Sequence, residues 1–176
     1  MFYKVVRQFK QADDPEQWRE YMSFSGLEQI EEFCSLDGMF NYSLFTPETL
    51  EDWDNCVNED YKIDMIATID YAQVVAAKYP GAQIFGLIID PQHTEMPQDG
   101  QLLGFDILDY DYSTSLLTNW GVFPDPFDKS RINRFALLDE VAEAYAIRDQ
   151  LRVAYADDPH AGACEVIAVF DVSSTQ

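Results

Sequence analysis

Basic residues are scarce. The 176 residues hold 11 Lys and Arg against 32 Asp and Glu, a formal net charge of −21. Nucleic-acid affinity comes mainly from clustered cations that neutralise phosphates, and the densest basic group here is only Lys129, Arg131 and Arg134. No nucleic-acid partner is therefore expected, and an anionic membrane surface is disfavoured for the same reason. Long apolar runs are missing too: none approaches the ~20 residues of a membrane-crossing helix. The short, mixed stretch Met1–Gln8 does not read as a signal peptide. Cys34, Cys56 and Cys164 lie far apart with no Cys-x-x-Cys. Neither a disulfide framework nor a zinc site is expected, and the three read as buried, reduced thiols of a cytoplasmic protein. The 8 glycines occur singly. No Gly-x-Gly-x-x-Gly, Gly-x-x-x-x-Gly-Lys, Gly-x-Ser-x-Gly or His-Glu-x-x-His is present, so no cofactor is expected.

What is abundant is core material. The chain is 47% hydrophobic and 14% aromatic, with 12 Phe, 10 Tyr and 3 Trp. Disorder needs high charge together with few aromatics, so these numbers describe a folded acidic globule, a single domain over residues 1–176. The charge is unevenly placed. Residues 20–61 and 79–128 contain no Lys or Arg. Either distant bases fold back onto these windows, or their field stays open to solvent and to a basic partner.

Residues 2–9 mix β-branched and aromatic side chains and read as a strand. Asp14-Pro15-Glu16-Gln17 combines an N-cap, an N1 proline and a capping box, and predicts a helix ending near Met22. Ser25-Gly26-Leu27-Glu28 reads as a second capping box. Leu27, Ile30, Phe33 and Cys34 then share one helical face, up to a turn at Asp37-Gly38. A short strand is expected over 39–45 and a helix from Thr46-Pro47-Glu48 to about Val57. Asp70 caps a helix running to Tyr79. Gln83–Asp90 is almost wholly apolar and predicts a strand buried on both faces. Residues 91–100 read as a loop. Residues 101–109 predict a strand antiparallel to 83–90, and 114–118 a third strand. Residues 119–130 read as irregular. The longest helix is expected over 138–156, with Val141, Ala144, Leu151 and Tyr155 as its stripe and Arg148 interrupting it. A last strand spans 163–172. This order predicts an α+β fold with a mainly antiparallel or mixed sheet and helices packed on it.

Few residues suggest chemistry. His93 lies in a polar loop near Glu95 and Asp99, and His160 follows Asp157 and Asp158. Each reads as a surface histidine, and no metal site is expected. Asp52–Ile63 superficially matches a calcium loop, but Val57 stands where Gly is needed and Ile63 where Glu is needed. Strand alternation would put Asp109 and Asp111 on one face and Asp106 on the other, against a three-carboxylate site. Gly104 inside a strand points to a bulge or a close backbone approach.

The pattern Leu103-Gly104-x-Asp106-x-x-Asp109, followed by Ser115-x-Leu117-Thr118-Asn119-x-Gly121, resembles a group of small uncharacterised acidic bacterial proteins. That resemblance implies no activity and no catalytic residues. In size and acidity alone the chain is also similar to immunity proteins of bacterial toxin systems. The reading that follows is a non-catalytic, acidic protein-binding module, in concrete form an immunity-type inhibitor of a basic toxin or nuclease. Its expected contacts are Asp52, Trp53, Asp54, Glu59, Asp60, Asp109, Asp111 and Trp120: acids for steering and tryptophans for anchoring. One alternative is an enzyme using carboxylates with His93 or His160. Another is a structural or homo-oligomeric housekeeping protein.

Overall fold

Asp14 starts the first helix as its sequence dictates. Its carboxylate accepts hydrogen bonds from the backbone of Glu16 and Gln17, with Pro15 in the first helical position. The computed structural model describes residues 1–27, 29–37, 40–45, 65–94, 96–97, 100–118 and 128–172. Among them are helices α1 (Pro15–Ser25), α2 (Ile69–Ala76) and α3 (Val141–Ala154). The strands are β1 (Phe2–Gln8), β2 (Asn41–Ser43), β3 (Gln83–Ile89), β4 (Gln101–Leu108) and β5 (Glu165–Asp171). The strands form one antiparallel sheet in the order β2-β1-β3-β5-β4, giving a single α+β arrangement.

The sheet has two covered faces. Val5, Ile84, Ile88, Val166, Ala168 and Phe170 share one face by their pairing register. This face is covered by α2 through Ala72 and Val75 and by α3 through Ala144, Ile147 and Leu151. Phe85, Leu87, Ile167 and Val169 share the other face. No described helix packs there; instead Cys34, Leu36, Met65 and Leu137 cover it from irregular segments. Strands β3 and β5 are buried on both faces, as their unbroken apolar runs require.

Four expectations are corrected. The helix expected from Ser25 is absent: none of the described residues of 27–37 is helical. Gly26 takes φ +70°, and both Gly26 N–H and Leu27 N–H donate to the Met22 carbonyl, which closes α1 there. Strand β4 does not pair with β3. The apolar β5 lies between them, antiparallel to both, so β3 and β4 run parallel to one another. An interior position satisfies both edges of the strand that is most apolar on its two faces. Residues 114–118 form turns, with only Ser115 bridging to Leu108, because Leu117 N–H bonds back to Ser115 Oγ and curls the chain. Thr68, not Asp70, caps α2, which ends at Ala76 rather than Tyr79. The expected helix over 46–57 lies outside the described residues.

Arg148 resolves its conflict with the α3 stripe. Its side chain is 16% exposed, its guanidinium lies 4.4 Å from the Tyr145 ring centre, and it pairs with Asp149 at 2.7 Å. Gly104 meets the sequence expectation in both respects. It sits at a bulge with φ +148°, and an added Cβ would lie 2.7 Å from the Leu138 carbonyl oxygen and 2.8 Å from Leu137 Cβ.

Candidate functional site

The polar residues of β4 and its exit serve two different purposes. Asp106 is fully buried on the face without helices. One carboxylate oxygen accepts from Leu36 N–H at 2.8 Å; the other accepts from Ile107 N–H at 2.8 Å and from the Ser115 hydroxyl. Ser35 and Thr118 hydroxyls bond to each other at 3.0 Å. Nearby, Gln8 and Asn41 amides donate to the Phe33 carbonyl at 2.8 and 2.9 Å, and Asn41 also donates to the Ser35 carbonyl. These buried side chains satisfy the backbone of a coil that runs across the sheet, which is the condition for burying it at all. Burial pushes the Asp106 carboxyl up to about 6, while the donors around it act in the opposite direction. The motif that stood out in sequence is thus a structural clasp. It joins residues 33–37 to 106–118, so the two base-free windows meet at a buried seam.

Asp109 opens the turn that leaves β4. Its Oδ1 accepts from Ser113 N–H and Thr114 N–H, both at 3.1 Å. Tyr110 N–H donates to the His160 carbonyl at 3.2 Å, which fastens this turn to the one after α3. Asp158 shapes that second turn by accepting from the backbone of His160 and Ala161, bonds that hold its carboxyl below the usual range. The result brings three side chains together. His160 Nδ1 lies 3.4 Å from Asp111 Oδ1 and 4.0 Å from Asp109 Oδ2, and ligand atoms of all three lie within 4.8 Å of one another. The Asp109 side chain is 7% exposed, Asp111 44% and His160 54%.

The second histidine has its own partner. His93 Nδ1 lies 3.0 Å from Asp90 Oδ2, and Tyr145 donates its hydroxyl hydrogen to Asp90 Oδ1. The Tyr145 bond holds Asp90 below the usual carboxylate range; burial and the adjacent carboxylate push the Tyr145 phenol up to about 12. Asp90 itself has φ +51° immediately before Pro91. His93 is 72% exposed, at the surface end of this chain of contacts.

Comparison with known proteins finds no matching family model, no matching curated protein and no matching solved structure. Function therefore has to be read from the residues themselves.

Of the contact residues expected from sequence, Asp52, Trp53, Asp54, Glu59, Asp60 and Trp120 lie outside the described residues. Asp109 is buried and holds its own turn, whereas Asp111 is exposed. Sequence reasoning grouped His93 with Glu95 and Asp99, which lie outside the described residues, and His160 with Asp157 and Asp158. It missed the Asp90–His93 and Asp111–His160 pairings. The first was legible in principle, since i and i+3 meet within one tight turn. The second depends on two distant turns being fastened together. Cys34 and Cys164 are buried, and burial raises both thiols. The groove lined by Phe9, Lys10, Pro15, Trp18, Glu31 and Glu32, of about 600 Å³, contains no histidine.

Proposed function

We propose that this protein is a non-catalytic, acidic binding module for a basic protein, of the kind an immunity-type inhibitor presents to a toxin or nuclease. The observation that carries the reading is how the chain uses its few bases. Arg131, Arg134, Arg148 and Arg152 are each engaged with a carboxylate of the same fold, at 2.9, 3.2, 2.7 and 2.8 Å. Arg134 reaches back to Glu31 in a base-free window, but the net charge of −21 leaves most acids uncompensated. Among the described residues, Glu20, Asp70, Glu140 and Asp157 are exposed and carry no ion pair. Such a field attracts a basic partner at long range, and exposed aromatics such as Phe24, Tyr42 and Tyr110 offer anchoring surface once contact is made. Both histidines lie on open surface, which favours this reading over an enzyme that needs a general base shielded in a pocket. No helix among the described residues is long and apolar enough to cross a membrane.

The test is capture of partners from host lysate at low salt, elution on a salt gradient, and kinetics with the partner recovered. A single basic protein should elute at moderate salt, and Asp52→Lys with Asp54→Lys should slow association about tenfold. Binding that is indifferent to salt and to charge reversal would reject the proposal.

A further inference from the structure

We infer that Asp109 Oδ2, Asp111 Oδ1 and His160 Nδ1 bind one divalent first-row transition-metal ion, with zinc as the reference case. The inference stands apart from the proposed partner and survives its failure. The donor set is the starting point. One imidazole and two carboxylates suit zinc, manganese, cobalt or iron, whereas calcium and magnesium take oxygen ligands alone. The spacing agrees. At metal–ligand distances of about 2.0–2.2 Å, tetrahedral neighbours lie about 3.3–3.6 Å apart. The His160–Asp111 separation is 3.4 Å, and the His160–Asp109 separation of 4.0 Å closes with a shift of a few tenths of an ångström.

The hydrogen bonding of Asp109 leaves one of its oxygens available. The Asp109 side chain is more than nine-tenths buried. Its Oδ1 is occupied by two backbone N–H groups, whereas its Oδ2, 4.0 Å from His160 Nδ1, has no hydrogen-bond donor among the described residues. A carboxylate oxygen held beside an imidazole and a second carboxylate, with no such protein donor of its own, is free to ligate a cation. The site is also held in place before any ion arrives. Tyr110 N–H to the His160 carbonyl joins the two turns, Ser113 and Thr114 fix the Asp109 carboxylate, and Asp158 fixes the His160 backbone. Three protein ligands on an open surface leave at least one position for water or for a donor from another molecule.

Equilibrium dialysis of the chelator-stripped chain against Zn²⁺, read by elemental analysis, tests this. The expected result is one saturable equivalent, retained in excess Ca²⁺. Asp111→Asn and His160→Gln should each weaken it at least about tenfold. Both positions are exposed, so the variants fold, which a thermal melt verifies. His93→Gln, at the other histidine, should bind as the parent does. The inference is overturned by any of three results: no saturable equivalent, displacement by Ca²⁺, or parental affinity in Asp111→Asn and His160→Gln.

Discussion

The two faces of the sheet are built on different physics. The face under α2 and α3 is closed by apolar side chains alone: Ala72, Val75, Ala144, Ile147 and Leu151 against Val5, Ile84, Ala168 and Phe170. Helices satisfy their own backbone, so burial there asks only for volume and shape. The opposite face is covered by coil around 33–37 and 135–138, whose backbone has no such internal solution. It borrows partners from Gln8, Asn41, Asp106, Ser35 and Ser115, and from the Arg134 and Phe135 carbonyls, which accept from Glu31, Glu32 and Cys34. A coil can therefore replace a helix as a cover when the sheet itself carries buried polar side chains.

The contrast can be broken most severely at Gly104, where the coil face meets β4. Gly104→Ala places a methyl 2.7 Å from the Leu138 carbonyl oxygen at a φ of +148°. The expected loss is about 4 kcal/mol in urea unfolding, combining backbone strain with overpacking. Leu151→Ala, on the helix face, should cost about 3 kcal/mol, and the cost should be the same from pH 4 to pH 7 because only a cavity is made.

Asp106→Asn sharpens the comparison by its pH dependence. The folded carboxyl, at about 6, lies above the ordinary 3.8, so the folded state holds the proton more tightly than the unfolded state. Its contribution is present in full below about pH 4 and is lost as pH rises through about 6. That change is of order 3 kcal/mol. In Asp106→Asn this slope should vanish. The amide nitrogen would face a donor, so an added cost of about 2 kcal/mol is expected. Unfolding midpoints across pH 4–7, set against those of Leu151→Ala, separate the two faces.

Cys34 reports on the coil cover directly. Its buried thiol, raised well above the usual range, should be labelled by a thiol reagent only when the cover opens. Peptide mapping of labelled protein should show Cys34 protected in the parent and exposed in Gly104→Ala. The smallest effect is expected at the surface. Arg131→Ala removes an exposed pair with Glu143 and should change stability by less than about 1 kcal/mol.

The same contrast explains what could be read from sequence. Asp14-Pro15 and the runs in β3 and β5 were legible because capping and strand burial depend on neighbours in the chain. Gly104 was legible because a glycine inside a strand pattern has few other reasons to be there. The coil at 27–37 was misread because Leu27, Ile30, Phe33 and Cys34 match helical spacing by coincidence. Their burial follows the route of the chain across a sheet, and the hydrogen bonds that make the route tolerable come from β1, β2 and β4. Asp106 and Ser115 were visible as unusual residues, but their purpose was not, since their partner at Leu36 lies far away in sequence. The Asp109–Asp111–His160 group was illegible for the same reason. Local spacing brings Asp109 near Asp111, but only the bond between Tyr110 and the His160 backbone brings the imidazole to them.

By itself, then, the sequence determined the acidic field, the start of α1 and the buried character of β3. These follow from composition, from capping and from apolar runs, all of which act over a few residues. The tertiary structure decided that β5 lies between β3 and β4, that coil rather than helix covers one face, and that His160 meets Asp111. Each of these turns on which distant polar group satisfies a buried or strained backbone, and that is set by the path of the whole chain.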